Sequence, residues 1–457
     1  MFSLPGLVAL LVAQYTKVHE LSPLLRSAQT IPLIYLAACS GLLLDLRLGL
    51  ARLDINPLTR VALAIALWTV LTIPLTGGAL GIRANQTLSY FLIFFVIAQG
   101  VQSFRGLRVA ALSILSLSLF LGGVAILQAR SPFQCVLVDA GVPGYEVGRT
   151  DGRNCESAVE CRVGMGPGED YVCERPGPLN TTSVGHGRVS YRGILADPNE
   201  LALALCMAIP FALIISVRKR SPWRPLLLAA TVAIVLPVTI WTASRTGQLV
   251  FVTVMGVYML QRAGWKGVLA AAVLAGPVLL LGGRDTGEVD ESAMGRLEAW
   301  GAGLHMFTSS PIWGIGKGQF TEHHVLTAHN TFILLLAELG LVGLALWIGM
   351  FYVAFKIVVL AARRYRDRPD GEMAYEWARG LLSCLCGLAV GTSFLSLGYH
   401  PVVWTMLALP GAYYVATRRH DPEFRVAFGL RDVLVVMGLT LSYVMGVTGY
   451  LMLRGIY

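Results

Sequence analysis

Charge is scarce in this chain. Of 457 residues, 14% are Asp, Glu, Lys or Arg, 55% are hydrophobic, and mean hydropathy is +0.65. A soluble domain usually carries roughly 25% charge. A water-exposed surface of this composition would be largely apolar, which excludes an ordinary soluble enzyme. A nucleotide fingerprint is also missing. The run Gly314-Ile315-Gly316-Lys317-Gly318 has no strand pattern before it and fits neither GxGxxG nor GK[ST]. It reads as a tight loop that lets backbone approach something closely. No acidic cluster resembles a metal site, and there is no internal repeat or long low-complexity tract. No basic stretch precedes residues 4–15 and no clear small-residue cleavage site follows, so the N-terminus reads as a short or interfacial helix.

What the chain has in abundance is apolar runs. A membrane-spanning helix needs about 20 such residues, and lipid leaves helices as the natural way to satisfy the backbone. Candidate spans fall at 3–16, 30–46, 58–76, 86–103, 107–128, 194–217, 224–243, 247–262, 266–282, 330–355, 379–397, 401–417 and 432–452. The expected fold class is therefore an all-α polytopic membrane protein with about 12–13 transmembrane helices. Two long polar stretches interrupt it. The expected organisation is N-terminal helices over 1–128, a loop over 129–193, helices over 194–282, a second loop over 283–329 and C-terminal helices over 330–457.

The net charge of +9 could suggest nucleic acid, but its distribution is a topology signal. With the N-terminus in the cytoplasm, short connections rich in basic residues fall inside. They include Arg218-Lys219-Arg220, Arg363-Arg364, Arg366, Arg368 and Arg418-Arg419. Both long loops then fall outside. Four of the eight cysteines, Cys135, Cys155, Cys161 and Cys173, lie in the first of them. An even cluster in an oxidising compartment implies two disulfides, with three pairings open; the alternative of a metal site has no CxxC pair or His cluster behind it.

Four segments could carry chemistry. In the first, Arg192 ends a loop, and Asp197-Pro198-Asn199 opens a helix, with Asp197 as N-cap. The second is Ser244-Arg245-Thr246-Gly247, between two spans. A charge there is a functional hypothesis by default, with an ion pair to Asp197 or Glu338 as the bland alternative. In the third, Arg296 begins an amphipathic helix, followed by the glycine loop with Lys317. The fourth is Ala328-His329-Asn330-Thr331, where a loop meets the membrane, with Glu338 deeper in the same span. His329 suits a general base, and the bland reading is a hydrogen-bonded cap. Guanidinium groups match phosphate oxygens in bidentate fashion. Three arginines and a histidine at one membrane face therefore suit a lipid-linked diphosphate, with glycosyl transfer to a hydroxyl as the chemistry.

These segments resemble the O-antigen ligase and O-antigen polymerase superfamily of bacterial envelope polysaccharide assembly. The resemblance rests on RGxxxDPNxLA at 192–202, SRTG at 244–247, GRxxxW…PxxGxGxGxF at 295–320 and HNxxxxxxxExGLxG at 329–343. It implies a GT-C-like helical fold, an undecaprenyl-diphosphate-linked glycan donor, a lipid or glycan acceptor, and reaction at the periplasmic face of the inner membrane. It implies no cofactor, no metal and no nucleic acid, and work beside a chain-length regulator or other assembly proteins. Carried over by motif, His329, Arg245 and Arg296 are catalytic; Arg192, Arg245, Arg296, Asn330 and Lys317 bind diphosphate; Asp197, Asn199 and Glu338 are structural. The loop over 283–329 becomes the active-site lid. Other readings are a flippase or transporter of the same lipid-linked oligosaccharide, a protein O-glycosylation transferase of the superfamily, and a non-catalytic scaffold. The four-cysteine loop departs from the ligase pattern.

Overall fold

The computed structural model describes residues 1–20, 25, 30–78, 80–140, 148–162, 169–216, 223–267, 269, 272 and 286–457. Helices dominate: α1 (Ser3–Thr16), α2 (Thr30–Arg47), α3 (Pro57–Leu75), α4 (Leu80–Gly100) and α5 (Phe104–Arg130). Strands β1 (Gln134–Ala140) and β2 (Thr150–Asn154), helical turn α6 (Ala158–Cys161), and strands β3 (Glu169–Glu174), β4 (Pro176–Gly177) and β5 (Thr181–Thr182) follow. Then come α7 (Pro198–Cys206), α8 (Ile209–Ser216), α9 (Trp223–Trp241), α10 (Arg245–Ala263) and α11 (Thr286–Ser309). The chain ends with α12 (Phe320–His323), α13 (Thr331–Tyr365), α14 (Glu372–Phe394), α15 (Pro401–His420) and α16 (Leu430–Leu453).

Among the described residues, eight helical segments are long and apolar enough to cross a membrane: α2, α3, α4, α5, α7 with α8, α13, α14 and α16; α1 and residues 225–241 are shorter apolar helices. The chain is an all-α polytopic membrane protein. Exposed side chains agree: Leu430, Leu434 and Met445 on α16 and Leu33, Leu36 and Leu43 on α2 face outward. In water that surface would be costly, whereas lipid solvates it. The candidate span at 194–217 divides into α7 and α8, with the chain turning at Met207-Ala208. Most of the span at 266–282, and Arg218-Lys219-Arg220, lie outside the described residues.

The chain forms two compact units. Unit 1 comprises Met1–Leu10, Ile31–Ala111 and Arg284–Tyr457; unit 2 comprises Leu11–Thr30 and Leu112–Gly283. In unit 1, α13 packs on α3, α11, α14 and α16, and α15 packs on α4. Trp347, Tyr365 and Tyr413 are fully buried there. In unit 2, α10 packs on α7, and α9 on α7 and α8.

The first loop is more structured than its polarity suggests. It folds into an antiparallel sheet of order β2-β1-β3 and a small β4-β5 pair. Cys135 bonds to Cys161 and Cys155 to Cys173, although Cys135 faces Cys173 across β1 and β3. The bridges tie β1 to α6 and the end of β2 to β3. They enclose 26 and 18 residues, which corresponds to about 3 kcal/mol each by chain entropy. The three sulfurs that lie close enough to share a metal, of Cys135, Cys155 and Cys161, are all in these bridges. Cys39, Cys206, Cys384 and Cys386 lie outside the bridges. In denaturant without reductant, a maleimide is expected to modify those four, and all eight after reduction. Full labelling before reduction would remove the bridges from the account.

The second loop also differs from expectation. Arg296 lies in the middle of α11, which is already helical at Thr286, rather than at its start. The helix formers Glu288, Glu291, Ala293 and Met294 extend it upstream; Gly287 and Gly295 mask that signal in the sequence.

Candidate active site

In unit 2, Asp197 caps α7 as its sequence implies. Its carboxylate accepts from the Asn199 N–H and from Asn199 Nδ2, both at 2.7 Å, and Pro198 opens the helix. Such a cap contributes about 1 kcal/mol. Arg192 precedes this turn and is half-buried; its Nη2 donates to the Leu179 carbonyl. Arg192 Nε is buried without a hydrogen-bond partner among the described residues. A desolvated guanidinium donor left unpaired is costly unless an acceptor meets it.

Arg245 is the first residue of α10 and is exposed. Ser244 caps the helix, its Oγ accepting from the Gly247 N–H at 2.9 Å. Gly247 is needed for packing: a Cβ there would lie 2.4 Å from the Ala202 Cβ on α7. The bland alternative for Arg245, an ion pair with Asp197 or Glu338, is not found among the described residues. Asp197 is occupied by its cap, and no salt bridge among the described residues uses Arg245. A cation at a helix N-terminus opposes the macrodipole by about 0.3–1 kcal/mol, so this position suits an anion better than it suits the arginine alone. The segments leading to both arginines are joined. Val189 N–H donates to the Trp241 carbonyl at 3.2 Å, and Arg188 Nε to the Thr242 carbonyl at 2.9 Å.

In unit 1, the glycine loop finds its close partner in α13. That helix breaks at Gly340, with φ 68° and ψ −168°. The break strands the carbonyls of buried residues Ala337, Glu338 and Leu339 away from water, where each must find a donor. Ile315 N–H donates to Ala337 O and Gly316 N–H to Glu338 O, both at 2.9 Å, while Trp68 Nε1 donates to Leu339 O at 2.9 Å. In return Leu341 N–H donates to Pro311 O at 2.8 Å. Trp68 also stacks on Trp313, centroids 4.8 Å apart.

Glu338 and Lys317 are locked beneath this loop, 2% and 3% exposed. Phe320 N–H donates to the Glu338 carboxylate at 3.2 Å, and the Gly318 N–H and Tyr399 side chain also face it. Lys317 Nζ donates to Arg83 O at 3.0 Å and Thr87 Oγ1 at 2.9 Å, and lies over the rings of Tyr90 and Tyr399. Burial lowers the Lys317 ammonium to about 8, with Glu338 opposing that shift and Arg83 adding to it. Lys317 is thus spent on internal partners, and the Glu338 carboxylate faces Lys317 and backbone N–H groups rather than an arginine. Sequence reading missed Trp68, Tyr90 and Tyr399, each an aromatic in or beside an apolar run with no charged neighbour to mark it.

His329 stands at φ +48°, in the left-handed region. That conformation costs a non-glycine residue about 1–2 kcal/mol and persists only where its surroundings enforce it. Here they do. Trp300 Nε1 on α11 donates to Ala328 O at 3.0 Å. Asn330 caps α13, its Oδ1 accepting from Phe332 N–H, Ile333 N–H and, at 3.1 Å, the Tyr443 hydroxyl. Thr331 Oγ1 donates to Leu395 O at 2.6 Å and accepts from Leu397 N–H at 2.8 Å. The bonded oxygen of Asn330 is therefore structural. Arg296 lies one turn before Trp300 and beside Gly295, which faces Leu326 at 3.3 Å from a built Cβ, so α11 carries Arg296 alongside the segment that ends in His329. His323 contacts the Gln319 carbonyl and His324 the Leu326 backbone, so both serve their own turns.

Residues 230–348 match the O-antigen ligase family model. The match begins within α9 and ends within α13. It contains Arg245, Arg296, Lys317, His329, Asn330 and Glu338, whereas Arg192, Asp197 and Asn199 precede it. No curated protein matches the chain. The matched segment therefore covers the strained histidine, the exposed helix-opening arginine and the whole glycine-loop contact with α13.

Proposed function

We propose that this protein is a glycosyltransferase that moves a glycan from an undecaprenyl-diphosphate carrier to an acceptor hydroxyl at the periplasmic face of the bacterial inner membrane. The observation that carries this reading is His329, held in a left-handed conformation by bonds on both sides and lying inside the O-antigen ligase segment. Strain of this kind concentrates at functional sites. In the reaction the acceptor oxygen bonds to the anomeric carbon, and the bond to the lipid diphosphate breaks. The acceptor proton passes to His329, and the bonding pair leaves with the diphosphate. Arg245, Arg296 and the Nε of Arg192 offset the charge growing there, as preorganised donors do in other transferases. The arginines stand in for a divalent ion, so chelators are expected to leave the rate unchanged.

Arg245→Gln and Arg296→Gln are each expected to lower turnover about 10²- to 10³-fold with purified protein and lipid-linked glycan. Lysine replacements should restore only part of this, because an ammonium keeps the charge and loses the bidentate fork. Wild-type turnover in both glutamine variants would end the arginine-clamp reading. For orientation, a reporter fused near Arg368 should behave as cytoplasmic.

A further inference from the structure

A second feature of unit 1 lies away from His329. Helices α3, α13 and α16 enclose a groove of about 280 Å³ whose lining includes Val61, Leu346, Gly349, Phe428, Val433 and Val436, every lining residue being apolar. It runs from Leu341 to Gly349 along α13, about 12 Å at 1.5 Å per residue. Gly349 forms its narrow floor: a Cβ there would lie 3.6 Å from Val61 Cγ1 and 3.7 Å from Val436 Cγ1. Neither α3 nor α16 is covered on its outer side, where Leu63, Leu67, Leu434 and Leu441 are exposed.

The groove opens toward one charged end. Phe428, on its wall, packs edge-on against Tyr352, whose hydroxyl donates to Asp432; Asp432 also pairs with Lys356. That carboxylate is therefore already matched. Next to groove residues in the chain are Arg60, which precedes Val61 and whose Nε donates to the Ile55 carbonyl; Arg431, between Leu430 and Asp432; and Arg425, three residues before Phe428. All three are exposed, and among the described residues no carboxylate pairs with any of them. An apolar slot ending in unmatched cations fits an amphiphile with an acyl chain and an anionic head. Basic pockets between transmembrane helices hold such headgroups.

We infer that this groove binds an anionic glycerophospholipid of the bilayer, with one acyl chain against Gly349 and its phosphate between Arg60 and Arg431. The site is independent of the transfer reaction. The test is native mass spectrometry of the full chain in detergent with phosphatidylglycerol and with phosphatidylcholine of identical chains. Wild type is expected to retain phosphatidylglycerol at least tenfold better. The Arg60→Gln/Arg431→Gln double variant should lose that preference, and Gly349→Leu should lose retention of both. The double variant touches only exposed side chains, so it stays informative if Gly349→Leu fails to fold. Equal retention of the two lipids by wild type would overturn the inference, as would an unchanged preference in the double variant. Displacement of phosphatidylglycerol by a polyprenyl phosphate, or by dimer formation, would assign the groove to another occupant and also overturn it.

Discussion

His329→Ala is expected to lower glycan transfer about 10²- to 10⁴-fold with unchanged protein level in the membrane, the range for loss of a general base. His329→Gly separates chemistry from structure. The histidine occupies φ +48°, where glycine sits without steric cost. If His329 merely capped a helix, glycine would preserve the backbone and the activity. Asn330 already caps α13, and the bonds that hold this backbone run through Ala328 O, Asn330 Oδ1 and Thr331 Oγ1. The glycine variant should therefore melt within about 1 kcal/mol of wild type, with strain relief offset by unfolded-state entropy. It should nevertheless be as inactive as the alanine variant. The pair is read by thermal unfolding in detergent beside a transfer assay. An active glycine variant would reduce His329 to a backbone role and remove the base from the proposed mechanism.

The membrane class was legible because it depends on local composition: an apolar run about 20 residues long needs no partner to be recognised. Asp197 was legible for the same reason, since N-capping is decided within three residues, and Asp197-Pro198-Asn199 does what its sequence says. The cysteines signalled two bridges, but their pairing was open. It depends on β1 and β3 lying side by side, and β2 reads Thr-Asp-Gly-Arg-Asn with no apolar alternation to betray a strand.

Charge alone gave a poorer account of Lys317 and Glu338. In sequence, a lysine among glycines resembles a phosphate ligand. In the fold it lies under Tyr90 and Tyr399 and donates to Thr87, a residue 230 positions away in the chain. No local pattern encodes such a contact. The glycines were a fairer signal, since alternate glycines imply close backbone approach. What they approach could only emerge from the break at Gly340, itself one glycine among several in an otherwise continuous apolar helix.

That break supports the second large expected effect. Gly314→Val is expected to destabilise the protein by more than about 3 kcal/mol and to abolish transfer with it. A Cβ at Gly314 would lie 2.3 Å from the Glu338 carbonyl carbon, 2.4 Å from its oxygen and 2.5 Å from Leu339 N. These are backbone atoms, so no side-chain rotation relieves the clash. Glycine φ is +70° there, which a β-branched residue resists independently. Moving the loop outward would break the Ile315–Ala337, Gly316–Glu338 and Leu341–Pro311 hydrogen bonds together. The freed carbonyls would then face apolar surroundings with no alternative donor, and Lys317 and Glu338 would lose the cover that buries them. Gly123→Ala on α5 is the control, since nothing lies within 4 Å of a Cβ there and alanine favours the helix. Thermal unfolding in detergent should place Gly314→Val far below wild type and Gly123→Ala at or above it. If Gly314→Val unfolds with wild type, the loop is not what holds the broken helix.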